Sequence, residues 1–315
     1  MAAPSSPAMP AASNGPAKAA WSSRSDPRLY QLFCQIVILC YGLKFLEFSR
    51  YIEHIPVVLA ACLFAQVLGV IALRKKTNPV RIGFDWRSPA ISALSLALLL
   101  RTNELWITAL AGALAIGSKF LIRVNGKHVF NPSLFGIIAV LAIFSGDAWV
   151  SPGQWGREGL LLFFVACAGG FVLFRALRSD ITLAFLGMYG GLVLLRATWL
   201  GDPWPIVINQ LSSGALLIFA FFMISDPKST PDARIGRIVF AALTAAVAFA
   251  IQFGLYNSNG LLWSLFWCAF SVPLIDRVSK RTRLFAQNPF ALTRESQTTP
   301  GERPTVAPIL SGAGK

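Results

Sequence analysis

His54-Ile-Pro-Val-Val-Leu-Ala-Ala-Cys-Leu-Phe-Ala-Gln-Val-Leu-Gly-Val-Ile-Ala-Leu73 runs without a charged side chain and then meets Arg74, Lys75 and Lys76. A helix needs about 20 consecutive apolar residues to cross the hydrocarbon layer of a bilayer. A cluster of basic residues directly after such a run marks a cytoplasmic end. This one stretch therefore reads as a membrane span with its C-terminal end inside.

The same reading extends in both directions. Apolar segments fall at 29–48, 54–73, 88–100, 105–122, 131–145, 158–177, 180–198, 205–224, 235–254 and 259–279. The expected fold is an all-α, polytopic membrane helical bundle of about ten transmembrane segments, occupying residues 29–280. Residues 1–28, rich in Ala, Pro and Ser, and residues 281–315, with Pro300, Pro304 and Pro308, are expected to be disordered tails. Composition agrees with a bilayer: 55% of residues are hydrophobic and 13% charged, against about a quarter charged in soluble domains. Mean hydropathy is +0.60.

The net charge of +14 would suggest nucleic-acid binding in a soluble protein. Here the basic residues sit in short loops. With the N-terminal tail inside, the even loops hold Arg74, Lys75, Lys76, Arg81 and Arg87, then Lys119, Arg123 and Lys127, then Arg175 and Arg178, then Lys228, Arg234 and Arg237. The odd loops hold mainly Arg50, Arg101, Arg157 and Arg196, offset by Glu53, Glu104, Glu158 and Asp202. That asymmetry predicts both termini in the cytoplasm, with the lipid bilayer, and no nucleic acid, as surroundings. Cys34, Cys40, Cys62, Cys167 and Cys268 all lie in apolar segments without a CxxC pair, and His54 and His128 stand far apart. No metal site and no catalytic constellation is expected from them.

Segments 88–100 and 212–224 each open on small hydroxylated residues and continue as a short apolar run. Each is the third of five. An odd number of spans per half makes two such repeats inverted, and short segments of this kind often line a site. Two clusters are the candidate binding residues. In 116–136, Asn131 caps a helix whose first turn accepts Pro132, and the amides of that helix start favour an anion. In 211–232, Ser212, Ser213 and Gly214 allow close backbone approach, while Asp226 with Pro227 ends the segment and caps a turn. Lys44 and Glu47 are spaced to pair on one helix face, and Lys119 is read as a snorkelling side chain.

Taken together, Asn131-Pro-Ser-Leu-Phe-Gly136, Leu211-Ser-Ser-Gly-Ala215, Ala220-Phe-Phe-Met-Ile-Ser-Asp-Pro227, Gly236-Arg-Ile-Val-Phe-Ala241 and Val272-Pro-Leu-Ile-Asp276 resemble RnfD, a membrane component of the Rnf-type electron-transport complex. The likeness to NqrB, a membrane component of the sodium-pumping NADH:quinone reductase, is more distant. The resemblance covers most of residues 86–280. It implies a ten-helix inverted-repeat fold, flavin-mediated electron transport and other membrane electron-transport subunits as partners.

Family members carry a flavin mononucleotide (FMN) on a threonine in the loop between the fifth and sixth helices. Here that loop, Ser145 to Gly159, holds no threonine, and Leu216 stands where the family's second pattern, Ser-Gly-Ala-Thr, has one. The expectation is a divergent branch whose flavin, riboflavin or FMN, is noncovalent. A transporter, channel or scaffold that kept the fold and lost the redox role is the alternative, because one fold hosts many functions.

Overall fold

The computed structural model describes residues 26–45, 51–76, 84–124, 127–151, 170 and 179–287. The sixth apolar segment, 158–177, the loop from 152 onward and Glu47 lie outside the described residues. In chain order the helices are α1 (Pro27–Phe45), α2 (His54–Lys76), α3 (Arg87–Leu99), α4 (Leu105–Leu121), α5 (Pro132–Ile143) and α6 (Ser179–Leu200). They continue with α7 (Trp204–Leu211), α8 (Gly214–Ile218, wound on as a π-helix to Met223), α9 (Arg234–Phe249, wound on as a π-helix to Gly254), α10 (Gly260–Ala269) and α11 (Val272–Gln287). Among the described residues, three helices are long and apolar enough to cross a membrane, or up to five if each bent pair is one span. The architecture is that of a membrane helical protein.

The bundle is not purely helical. β1 (Leu100–Thr102) pairs antiparallel with β4 (Ala148–Val150), and β2 (Arg123–Val124) with β3 (Lys127–His128). The first ribbon has a physical role. α3 has 13 residues and α5 has 12, so at 1.5 Å per residue each reaches only ~20 Å, short of a ~30 Å hydrocarbon layer. Each continues into one strand of the ribbon, whose β1 residues are all buried. The ladder keeps the non-helical backbone hydrogen-bonded where water is scarce. Arg101 lies at the junction and donates from Nη1 to the carbonyls of Ala97 and Leu100, at 2.7 and 2.9 Å. A guanidinium there serves the C-terminal carbonyls of α3.

Breaks fall where the chain lacks the means to continue a helix. α7 and α8 meet at a 40° bend after Ser212 and Ser213. α10 and α11 meet at a 49° bend, beside Pro273, which cannot donate to the preceding turn. The sequence reading has one apolar segment at 259–279 and a C-terminal tail from 281. Within that segment the chain bends, and α11 runs on to Gln287.

Polar contacts near the ends of the elements include two sets. One joins Arg28 to Asp85, Arg87 to Asp26, Lys119 to Ser88, His128 to Asp226, Lys127 to Asp232 and Asp276, and Arg237 to Asp180. The other joins His54 to Thr108 and Thr102, Asn103 to Asp147, and Arg196 to Asp202. The first set lies at the N-terminal end, in or beside the even loops and on α11; the second lies in or beside the odd loops. The helical legs therefore run between two opposite faces of one bundle. Ser151 stands on the second face and Ser179 on the first.

Close helix packing rests on small residues. α2 lies along α4 and α6 along α9, while α5 lies on α4 and α10 on α9. A Cβ on Gly136 would sit 2.5 Å from the Ala111 carbonyl oxygen, and one on Gly260 would sit 3.0 Å from that of Ala248. Backbone cannot yield as a side chain can. Gly136→Ala is therefore expected to destabilise by about 1–3 kcal/mol, the usual cost of overpacking. Gly117→Ala, where the added Cβ meets open space, is the control. Thermal midpoints in one detergent decide it.

Candidate functional site

A cavity of ≈ 370 Å³ opens among the elements of the first face, a size within the ~300–1,000 Å³ of small-molecule sites. Its walls come from the starts of α1 and α3, the end of α4, the start of α5 and the turn after the α8 π-helix. Its lining mixes apolar side chains, Ile91, Pro132, Phe221 and Phe222, with the hydroxyls of Ser88, Ser92, Ser95 and Ser133 and the ammonium of Lys119.

Asn131 ties the two sequence clusters together. Its side-chain oxygen accepts from the amides of Ser133 (3.1 Å) and Leu134 (3.4 Å), and its Nδ2 donates to the Met223 carbonyl at 3.3 Å. This corrects one expectation. The start of α5 is not an open cradle for an anion: Asn131 itself occupies the Ser133 and Leu134 amides, and Pro132 has no N–H to offer.

Asp226 also lines the cavity. Its Oδ1 accepts from the Lys228 amide (3.1 Å), and its Oδ2 from the Ser229 hydroxyl (3.1 Å) and from His128 Nε2 (3.3 Å). Burial works against the charged form. The hydrogen bonds from His128, the Lys228 amide and Ser229 outweigh it and hold the carboxyl below its ordinary range. His128, brought in by the β2–β3 hairpin, is 6% exposed, and its Nδ1 has no partner among the described residues.

The candidate residues divide. Asn131, Pro132 and Asp226 line the cavity. Ser212, Ser213 and Gly214 do not. They stand at the α7–α8 break, where Ser212 donates to the Ile208 carbonyl. The ten residues of α8 and its π-helix separate them from Asp226 by roughly 15 Å.

Sequence reasoning missed Lys119 and the serine stripe. Lys119 does not snorkel: its Nζ donates to Gln66 Oε1 (3.1 Å) and Ser88 Oγ (2.9 Å) inside the bundle. A charged residue in an apolar segment is itself the signal for a site. Ser88, Ser92 and Ser95, at helical spacing, put hydroxyls on one face of α3. Among the described residues, no three His, Cys, Asp or Glu side chains are grouped to hold a metal ion.

A family model described as NQR2, RnfD, RnfE matches residues 151–284. The RnfD protein of the ion-translocating oxidoreductase complex of Stutzerimonas stutzeri is 28% identical over 298 residues, 73% of this chain and 81% of the relative. Its counterpart in Halorhodospira halophila is 26% identical, covering 73% and 84%. The counterpart in Escherichia coli (strain K12) is 34% identical over a shorter stretch of 139 residues, 42% of this chain and 36% of the relative. The family model takes in the Asp226 turn and α9–α11, while the cavity's other walls, from α1, α3, α4 and α5, precede the matched residues. The chain is thus RnfD-like: it is similar to these proteins over most of its length, and residues 151–284 match the model of the NQR2, RnfD, RnfE family.

Proposed function

We propose that this chain is a membrane subunit of an ion-translocating electron-transport complex in the bacterial inner membrane, and that it holds a noncovalent flavin in the first-face cavity. The observation that carries the reading is the convergence of Asn131-Pro132 and Asp226-Pro227, far apart in sequence, on one cavity lined by both aromatic rings and hydroxyls. A flavin has a flat apolar ring system edged by hydrogen-bonding atoms, and such a cavity matches both parts. The two-face division of the polar contacts supports ten crossings. The paired packing of α2 on α4 and of α6 on α9 supports two repeats. The basic loops lie on the first face, so the positive-inside rule assigns that face and both termini to the cytoplasm.

The residues have distinct tasks. Asn131 fixes the start of α5 against the π-helix and so sets the cavity's depth. Phe221 and Phe222 offer ring faces for stacking. Lys119 and the serines offer donors. A bound flavin supplies the one-electron and two-electron chemistry, while the protein sets its position and polarity. The chain's other membrane partners follow from the complexes to which its relatives belong.

The test is purification of the full chain in mild detergent with its visible absorption recorded. The expected result is a yellow protein whose flavin is released by acid into the supernatant. A colourless protein from every host supplied with riboflavin would overturn the reading and leave a transporter or a scaffold.

A further inference from the structure

We propose that α11 is a membrane-surface helix that binds the anionic headgroups of bilayer lipids on the first face. The cavity's occupant has no bearing on it: no described side chain of α11 lines that cavity.

At 3.6 residues per turn, α11 has three sides. Val272, Ile275, Asp276 and Ser279 share the side that packs on the protein. Val272 is buried. A Cβ on Gly236 would meet Ile275 Cγ2 at 2.9 Å and Ser279 Oγ at 3.4 Å. Asp276 accepts from the Asp232 amide at 2.9 Å and from Lys127 Nζ at 3.1 Å, which fixes the start of α11 on the first face. Leu274 and Val278 fall on the opposite side, 63% and 58% exposed. By helical spacing, position 285, a phenylalanine, returns to the same stripe. Positions 277, 280 and 281, two arginines and a lysine, fall along one flank between the two sides. The sole acidic residue of α11, Asp276, is held by Lys127, so the flank is basic without internal compensation.

The exposed stripe has a continuation that says what covers it. Counting back from Leu274, Phe270 and Trp267 are 56% and 57% exposed, at spacings of four and three that keep one helix face. Their rings lie 6.2 Å apart. Both belong to the inner end of the α10–α11 pair, which together is apolar enough to span a membrane, and tryptophan at such an end sits at headgroup level. The bilayer that covers Trp267 therefore reaches Leu274. The 49° bend turns α11 off the axis of α10, so the helix does not carry straight on into water. An apolar stripe beside a basic flank suits the headgroup layer, with the stripe at the acyl boundary and the cations at the phosphates. Zwitterionic headgroups carry no net charge, so the flank selects anionic ones.

The full chain in detergent is titrated with phosphatidylglycerol or with phosphatidylcholine of the same acyl chains, and bound lipid is counted by native mass spectrometry. Phosphatidylglycerol is expected to bind at least about fivefold more tightly, the factor that one basic side chain at an anionic surface supplies. The triple variant Arg277→Gln, Lys280→Gln, Arg281→Gln should bring the two affinities together. Arg74→Gln, Lys75→Gln, Lys76→Gln removes the same charge from the end of α2 and should keep the preference. Equal affinities in the wild type would overturn the proposal and leave this face to an acidic surface of a neighbouring protein. A loss of preference as large in the α2 variant would overturn it too, with net charge as the cause. If the α11 triple variant fails to fold, Arg277→Gln alone, at an exposed position, should lower the preference, and an unchanged ratio there would overturn the assignment to α11.

Discussion

Arg237→Met is expected to cost about 3 kcal/mol of stability, the scale on which removing one partner strands a mostly buried charge. Arg237 donates from Nε and Nη2 to Asp180 Oδ2 at 2.8 and 2.5 Å, and from Nη1 to the Asp232 carbonyl at 2.8 Å. Both side chains of the pair are 14% exposed, so water cannot replace the lost partner. The pair joins the start of α6 to the first turn of α9, and it holds the 231–233 turn close to both. Asp180 also accepts from the Ile181 amide at 3.0 Å.

The double variant Arg237→Met, Asp180→Asn should therefore recover most of the loss. Asparagine still accepts from that amide and needs no counter-ion. Arg237→Lys should fall between, since an ammonium cannot reproduce the planar fork. Thermal midpoints of the four proteins in one detergent decide the matter. A loss under about 1 kcal/mol for Arg237→Met, the value of an exposed surface pair, would show that water reaches Asp180 after all.

The helical legs were legible because hydrophobic length is a strong local signal. The two-face arrangement was legible because loop charges alternate with the crossings. What escaped was short or long-range. Leu100-Arg101-Thr102 and Ala148-Trp149-Val150 are too brief to show an alternating strand pattern, and their pairing depends on a contact 46 to 50 positions apart. Pro273 was a visible break signal inside 259–279, masked by the apolar residues on both sides.

At the site, the sequence picked out Asn131 and Asp226 separately. Only the fold shows that Asn131 reaches Met223, 92 positions on, and that His128 crosses 98 positions to Asp226. Lys119 was visible but misread. Whether a lysine at a helix end faces lipid headgroups or a protein cavity depends on Gln66 and Ser88, 53 and 31 positions away. The serines at 212 and 213 looked like a site for the opposite reason: small residues at a helix break serve the break itself as readily as a ligand.

Asp226→Asn is expected to destabilise by about 1–3 kcal/mol near neutral pH, through a proton forced to the wrong nitrogen. The Asp226 carboxylate can only accept, so His128 donates to it from Nε2, and Nδ1 is left as a bare lone pair without a partner among the described residues. In the variant, an Oδ1 kept for the Lys228 amide turns an NH₂ toward His128. The imidazole must then accept at Nε2 and carry its hydrogen on Nδ1, where nothing receives it. A buried unpaired donor costs on the order of 1–3 kcal/mol. Ser229 can adapt by rotating its hydroxyl; the ring cannot.

The effect has a definite pH dependence. The folded carboxyl titrates below its ordinary range, so its contribution is fully present above the unfolded value of about 3.9 and is lost as pH falls through the lower folded value. The gap in thermal midpoint between wild type and Asp226→Asn should therefore be present near neutral pH and close as pH drops below about 4. His128→Phe, which removes the nitrogen that needs a partner, should erase most of the destabilisation that Asp226→Asn causes in the His128 background. A gap that stays open or widens below about pH 4 would mean that the carboxylate is not the stabilised form, and the cavity wall would then be held by the Asp226 backbone, through its carbonyl to Thr230, instead.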